Sequence, residues 1–310
     1  MKILVFHQPW PMGNYKYNTA IGNILGKTHE VYLLEQLNGR EATDEYINQI
    51  IELDPDIAYF DMLDAETFKI IEKLKCKKIL AYNTGGIVGY DEIFDYKDKW
   101  YTHVFTNSIE MKEKFLNNGT FADNYNWYLN CLPEEEMVYE LQYEFPCVFL
   151  GMGFGRVTND SYKLERDLFF TGFDDRISLQ VFGNGWPQSN NYTYRGILPA
   201  NDIGKLYSSS KSGFAIIAKG QRERGMINNR YSEMGSCGIP IISYNYEDID
   251  WYGAEDYINF VTNKDEIVDI VRDINLGKDD KYKVKSENLQ KFCKNQHKIF
   301  LEKLNNIMEI

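Results

Sequence analysis

The sequence predicts a doubly wound α/β fold in two halves, and three observations predict it. Short apolar runs alternate with segments of helical periodicity along most of the 310 residues. Those runs carry little period-2 patterning, as expected of strands covered by helices on both faces, which are parallel. The alternation breaks once, over residues 117–144, and then restarts. The expected architecture is two Rossmann-like domains whose parallel sheets face a central cleft.

The elements follow in order. Ile3, Leu4, Val5 and Phe6 form an uninterrupted apolar strand ending at His7. A helix over 17–26, a strand over 30–35, a helix over 44–53 that stops before Pro55, and a strand over 57–62 come next. The first half continues with a helix over 65–74, strands over 78–82 and 102–106, and a helix over 108–116. Asparagines, Pro133 and the acidic run Glu134-Glu135-Glu136 then mark the connection between domains. The second half is expected to hold strands over 147–150, 179–182, 194–197, 213–219, 239–244 and 257–261. Its helices are expected over 160–169, 201–207, 227–237 and 264–275. A last helix over 286–308 carries apolar residues at Leu289, Phe292, Phe300, Leu301 and Leu304, so one face must pack on something. The expected division is a first domain over 1–141, a second over 142–285, and a final helix over 286–310.

Composition narrows the function classes. With 44% hydrophobic and 15% aromatic residues the chain can fill two cores, and no apolar run approaches the ~20 residues of a membrane helix. The opening strand lacks the features of a signal peptide, so a cytoplasmic location is expected. Five cysteines without a C-x-x-C pair and four scattered histidines point to neither a disulfide framework nor a zinc site. A net charge of −12 argues against broad nucleic-acid binding. Within that acidic chain, residues 205–230 hold Lys205, Lys211, Lys219, Arg222, Arg224 and Arg230 against Glu223 alone, net +5. Such an island marks either an anion site or a solvated face.

In parallel sheets ligands sit beyond the carboxyl ends of the strands, which directs attention to certain loops. Gly151-Met152-Gly153-Phe154-Gly155 follows a strand, as a phosphate-cradling loop does, but Arg156 stands where G-x-G-x-x-G would put its third glycine. With Asp174 and Asp175 downstream, a nicotinamide-dependent oxidoreductase stays open beside a plain glycine turn. Asp54-Pro55-Asp56 and Asp248-Ile249-Asp250 both spell D-x-D. The first precedes its strand, on the wrong edge of the sheet; the second follows one and keeps a metal role open. The richest segment runs from Gln221 to Pro240: strand, basic loop, helix, glycine stop, strand. Free N–H groups at the helix start would hold a diphosphate. Arg230 and Glu233, at i, i+3, are either a surface ion pair or ligands of phosphate and ribose.

These residues resemble the GT-B glycosyltransferases, and within them the spore-maturation-protein-like branch with its family 1/4-type donor domain. The pattern E-R-G-x-[IL]-N-N-R-x-x-E-x-x-x-C-G is met by Glu223, Arg224, Gly225, Ile227, Asn228, Asn229, Arg230, Glu233, Cys237 and Gly238. The likeness extends over Phe149-Leu150-Gly151 with Arg156, Val181-Phe182-Gly183-Asn184-Gly185-Trp186, Tyr194-Arg195-Gly196 and Leu206-Tyr207, roughly residues 146–271. The first half matches only in alternation. Of the E-x7-E pair of many retaining members, Glu233 fills the second place and Gly225 the first, which leaves the stereochemical course open.

The resemblance implies transfer of a sugar from a nucleoside-diphosphate sugar, a UDP-sugar by preference, to a hydroxyl. It further implies that residues 1–141 serve the acceptor and 142–285 the donor, and that the final helix over 286–310 packs back on the first domain. Gly151, Gly153, Gly183, Asn184, Arg224, Asn228, Asn229, Arg230 and Glu233 would bind the nucleotide. Arg224 and Arg230 would stabilise the leaving diphosphate in place of a metal. A base from the first half would deprotonate the acceptor, with His7, Asp61, Asp91 and Glu92 as candidates; His7 and Asp91 are carried forward. Saccharide and protein acceptors rank above hydroxymethylated DNA on charge. A non-catalytic nucleotide-sugar binding module is the rival of another class.

Overall fold

The computed structural model describes residues 1–7, 15–37, 40–60, 65–82, 102–106, 108–117, 121–124, 145–151, 176–199, 202–217 and 219–309. The chain divides into two compact units, Met1–Leu129 with Phe300–Ile310, and Asn130–Ile299.

The first unit carries strands β1 (Lys2–His7), β2 (Glu30–Glu35), β3 (Ile57–Phe60), β4 (Lys77–Tyr82), β5 (His103–Thr106) and β6 (Phe121–Asn124). Its helices are α1 (Tyr15–Leu25), α2 (Asp44–Glu52), α3 (Ala65–Lys73) and α4 (Ile109–Asn117). The strands lie in the order β2-β1-β3-β4-β5-β6, every pair parallel. Ile3, Leu4, Val5 and Phe6 are all buried, as a strand between two helical layers requires. One face packs Leu4, Phe6, Ala58, Phe60 and Val104 against Ile47, Ile50, Ile70, Ile71, Met111 and Phe115 of α2, α3 and α4. Strand β6 falls in the segment expected to be connection. Its four residues are too short to register as an apolar run, and only pairing with β5 makes them a strand.

Asp54 and Asp56 lie at the amino edge of this sheet, as expected. Asp56 accepts a hydrogen bond from the Lys2 amide at 2.7 Å, and Asp54 takes φ +47° in the turn after α2.

The second unit carries β7 (Cys147–Leu150), β8 (Leu179–Phe182), β9 (Thr193–Gly196), β10 (Gly213–Ala215), β11 (Ile241–Tyr244) and β12 (Asn259–Val261). Helices α5 (Ile203–Ser208), α6 (Lys219–Arg222), α7 (Asn229–Cys237), α8 (Lys264–Asn275) and α9 (Asp280–Glu309) accompany them. The order is β12-β11-β10-β7-β8-β9, again parallel throughout. The core gathers Phe149, Leu179, Val181, Phe214, Ile216, Ile242 and Val261 beneath Ile267, Val268 and Val271 of α8.

Three expectations shift. Part of the basic loop before α7 is a short helix, α6. The expected helix over 160–169 lies outside the described residues. The final helix begins at Asp280 and runs for 30 residues, and only residues 300–310 group with the first unit. There Phe300 meets the Phe105 ring edge-on at 5.2 Å, Leu304 is fully buried, and Lys77 Nζ donates to the Ile307 carbonyl. One helix thus contributes residues 280–299 to the second unit and 300–309 to the first.

Candidate functional site

In the second unit β7 lies between β10 and β8, so the chain crosses to one side of β7 first and to the other side later. Such a reversal opens a crevice at the carboxyl ends of the two strands, here β7 and β10. Arg230, the second residue of α7, reaches over that point. Its Nε donates to the Leu150 carbonyl, and its guanidinium lies 5.2 Å above the Phe149 ring. A planar, permanently charged group lying on an aromatic face suits arginine and not lysine.

Two of the expected nucleotide-binding glycines shape the floor on which Arg230 rests. A Cβ on Gly151 would come within 2.5 Å of the Arg230 Nη2. A Cβ on Gly183 would come within 1.7 Å of the Gly151 carbonyl oxygen, and Gly183 has φ +130°. The Gly151 amide donates to the Phe182 carbonyl at 3.0 Å and its carbonyl accepts from Trp186 Nε1 at 2.8 Å. The ends of β7 and β8 therefore touch backbone to backbone. Asn184 lies beyond β8 and is exposed.

The helix start differs from expectation. Asn228, expected to face the nucleotide, is turned inward and only 5% exposed. Its Oδ1 accepts from the Arg230 amide and its Nδ2 donates to the Ile216 carbonyl at 2.6 Å. It is the N-cap of α7, and the reason is general: orphan amides of a first turn are best satisfied by an Asn, Ser or Asp side chain. The Tyr231 amide also bonds to Asn228, at its carbonyl. Two amides that the sequence left for a diphosphate are already engaged.

Glu233 is 1% exposed, which removes the reading of Arg230 and Glu233 as a surface ion pair. Its Oε1 accepts from Asn229 Nδ2 at 2.8 Å. In this structure its carboxylate is enclosed. Tyr207 of α5, equally buried, lies beside this carboxylate. Burial pushes its phenol well above the usual tyrosine range, the Glu233 charge adds to that, and Arg230 opposes it. The family likeness runs through Leu206-Tyr207, but no local spacing links α5 to α7, so the place of Tyr207 beside Glu233 is not legible from the sequence.

The rest of the basic island separates into distinct roles. Lys219 pairs with Glu223 at 3.6 Å on an exposed turn. The Arg222 side chain is sunk, only 13% exposed, and its Nε lies 3.5 Å from Asp248 Oδ2. Arg224 stays half-buried on the turn between α6 and α7. Asp248 is thereby paired with a cation, and Asp250 accepts from the Tyr252 amide at 2.8 Å, so the second D-x-D has structural partners. Among the described residues no three His, Cys, Asp or Glu side chains cluster as a metal site.

In the first unit, His7 ends β1, half-buried, and its carbonyl accepts from the Gln36 amide at 2.8 Å. Asp61, Asp91, Glu92, Gly153, Arg156, Asp174 and Asp175 lie outside the described residues. No helix among the described residues is long and apolar enough to cross a membrane.

Two parallel-sheet α/β units of this kind make the GT-B fold. Residues 166–299, within the second unit, match the family model described as glycosyl transferase-like. The match does not reach the narrower spore-maturation-protein-like branch. T4 phage β-glucosyltransferase, solved with its UDP-glucose substrate, is similar over 100% of both chains, with TM-score 0.67 and 13% identity. Its complex with UDP and Mn2+ gives TM-score 0.65 and 12% identity, again over 100% of both chains. Spinosyn forosaminyltransferase follows at TM-score 0.54 and 11% identity, also over 100% of both. No curated protein sequence matches the chain.

Proposed function

We propose that this protein is a glycosyltransferase that moves a sugar from a UDP-sugar to a hydroxyl acceptor without a metal. The single observation that carries the reading is the seat of Arg230 over the switch point of β7 and β10, on a floor that only glycine backbones permit. A fixed cation there is placed to take the diphosphate, and Arg224 on the adjacent turn adds a second. Charge grows on the leaving diphosphate as the glycosidic bond breaks, so groups held in place before reaction stabilise the transition state more than the ground state. Glu233 acts through Asn229, whose amide it holds at the start of α7. Asn184 and the Gly151–Gly153 loop complete the nucleotide side. On the acceptor side, His7 and Asp91 are the proposed bases.

The test is a melting-curve screen against nucleotides and nucleotide sugars, followed by turnover. UDP at a hundred times its dissociation constant should add about 2.7 kcal/mol of stability. A shift with NADH and none with any nucleoside diphosphate would overturn the reading. Binding of UDP-sugar with no release of UDP across saccharide, protein and DNA acceptors would leave the binding module instead. The T4 enzyme is a DNA modifying enzyme. For this chain of net charge −12 a saccharide or protein acceptor is the reading, and affinity for hydroxymethylated DNA should be weak and fall steeply with salt.

A further inference from the structure

We propose that Arg222 and Tyr246 are positioning residues of the donor site, acting together as a clamp on the Ile217 peptide. The inference rests on the donor-site reading above and goes beyond it, since neither residue belongs to the pattern that suggested that site. By sequence Arg222 is one of six cations in an island that marks either an anion site or a solvated face. Its observed place is different.

Strand β10 ends at Ala215, and beyond it the chain no longer has ladder partners on both sides. Ile216 and Ile217 are nevertheless buried, at 2% and 0% exposure, so their peptide groups must be satisfied from elsewhere. Three side chains from three segments do this. Asn228, the cap of α7, donates to the Ile216 carbonyl. The Tyr246 hydroxyl, two residues beyond β11, accepts from the Ile217 amide at 3.1 Å. Arg222 Nη1, at the end of α6, donates to the Ile217 carbonyl at 2.9 Å.

The two outer members of this set also bind each other. The Arg222 guanidinium lies over the Tyr246 ring, 4.6 Å from its centroid, and Asp248 holds the guanidinium from the side. Arg222 and Tyr246 thus grip the two polar groups of one residue. At that residue β10 gives way to the segment bearing Lys219, Arg224 and the start of α7. A displaced peptide here displaces Arg224 and Asn228 together, and with Asn228 the first turn that carries Arg230. Misplacement by about 1 Å can cost a hundredfold in rate when reacting groups must be aligned. An ammonium in place of the guanidinium loses both the stacking and the fixed donor geometry while keeping the charge.

The experiment compares Arg222→Lys, Arg222→Ala, Tyr246→Phe and the double variant Arg222→Lys/Tyr246→Phe with the parent chain and with Arg230→Ala. UDP affinity, kcat and KM for the donor, and a melting curve are measured for each. The clamp predicts that Arg222→Lys loses about as much as Arg222→Ala, tenfold or more, and that kcat at saturating donor falls along with affinity. Tyr246→Phe keeps the ring and loses the acceptor, so its loss is smaller. The double variant should be no worse than the larger single one, because both act on one peptide. A folded Arg222→Lys with parental affinity and kcat overturns the clamp. So does a double variant whose losses multiply, since two independent residues would then be at work. A parent chain that binds no UDP, with Arg230→Ala unchanged beside it, sinks the donor-site reading itself and the clamp's role with it. Should Arg222→Ala fail to fold, Arg222→Lys and Tyr246→Phe still decide the matter.

Discussion

At the scale of single residues, Arg230 is where a small change should have a large and specific effect. A charge-assisted hydrogen bond to a phosphate is worth about 1.5–3 kcal/mol. Arg230→Ala should therefore weaken UDP and UDP-sugar roughly tenfold to more than a hundredfold and slow turnover at saturating donor. Titration calorimetry and steady-state rates, beside a melting curve, measure both. Parental affinity in a folded variant would return Arg230 to a purely structural role on Phe149. Gly183 offers the steric counterpart. A methyl group there meets the Gly151 carbonyl at 1.7 Å, so Gly183→Ala should cost about 1–3 kcal/mol and disturb the floor beneath Arg230. Gly196 also has positive φ, +91°, but open space around it, and Gly196→Ala is the control that should cost less and leave UDP affinity alone. Asp248 decides the metal question. Its pairing with Arg222 predicts that turnover survives excess EDTA, whereas loss of activity restored by manganese would mean the T4 enzyme's Mn2+ has a counterpart here.

At the scale of elements, helix starts carry much of the local design. In α8 the Asn263 Oδ1 accepts from the Glu266 amide, while the Glu266 carboxylate accepts from the Thr262 amide and hydroxyl. The bond from the Thr262 amide, more than any other contact, holds the Glu266 carboxyl below its ordinary value of 4.5. A depressed folded value means that the stabilisation is present above the unfolded pKa and is lost as the pH falls through the folded one. Glu266→Gln should therefore melt below the parent at neutral pH, and the gap should begin to narrow as the pH drops below 4.5 and close only below the depressed folded value. A gap that persists in acid would show that the charge is not what the cap uses. Asn263→Ala, which removes the cap itself, should cost about 1 kcal/mol at neutral pH.

At the scale of the whole molecule, the long α9 is shared between the two units, since its last ten residues, 300–309, belong to the first. Phe300 and Leu304 are fully buried there, and Phe300 packs on Phe105, far from it in sequence. Leu304→Ala should cost about 2–5 kcal/mol, the range for a truncated core leucine. Because the lost contacts belong to the first unit, nucleotide affinity in the second should change little. A variant that loses UDP binding in proportion to its stability would instead mean that the chain melts as one cooperative body.

Much of this fold is legible from side-chain pattern alone. Four consecutive apolar residues at Ile3–Phe6, or the apolar spacing of α8, reflect local burial that any parallel α/β sheet imposes. Strand β6 is not legible, since its four residues become a strand only by pairing with β5. The parts played by Asn228, Arg222, Glu233 and Tyr207 are hidden for a related cause. Residue type and spacing report that a polar or charged group is present, whereas its direction depends on which distant carbonyl or ring lies within reach once the sheets have formed. Asn228 turns inward because the Ile216 carbonyl needs a donor, and Arg222 because the Ile217 peptide and the Tyr246 ring meet there. Those partners are set by tertiary packing between segments that no local period connects.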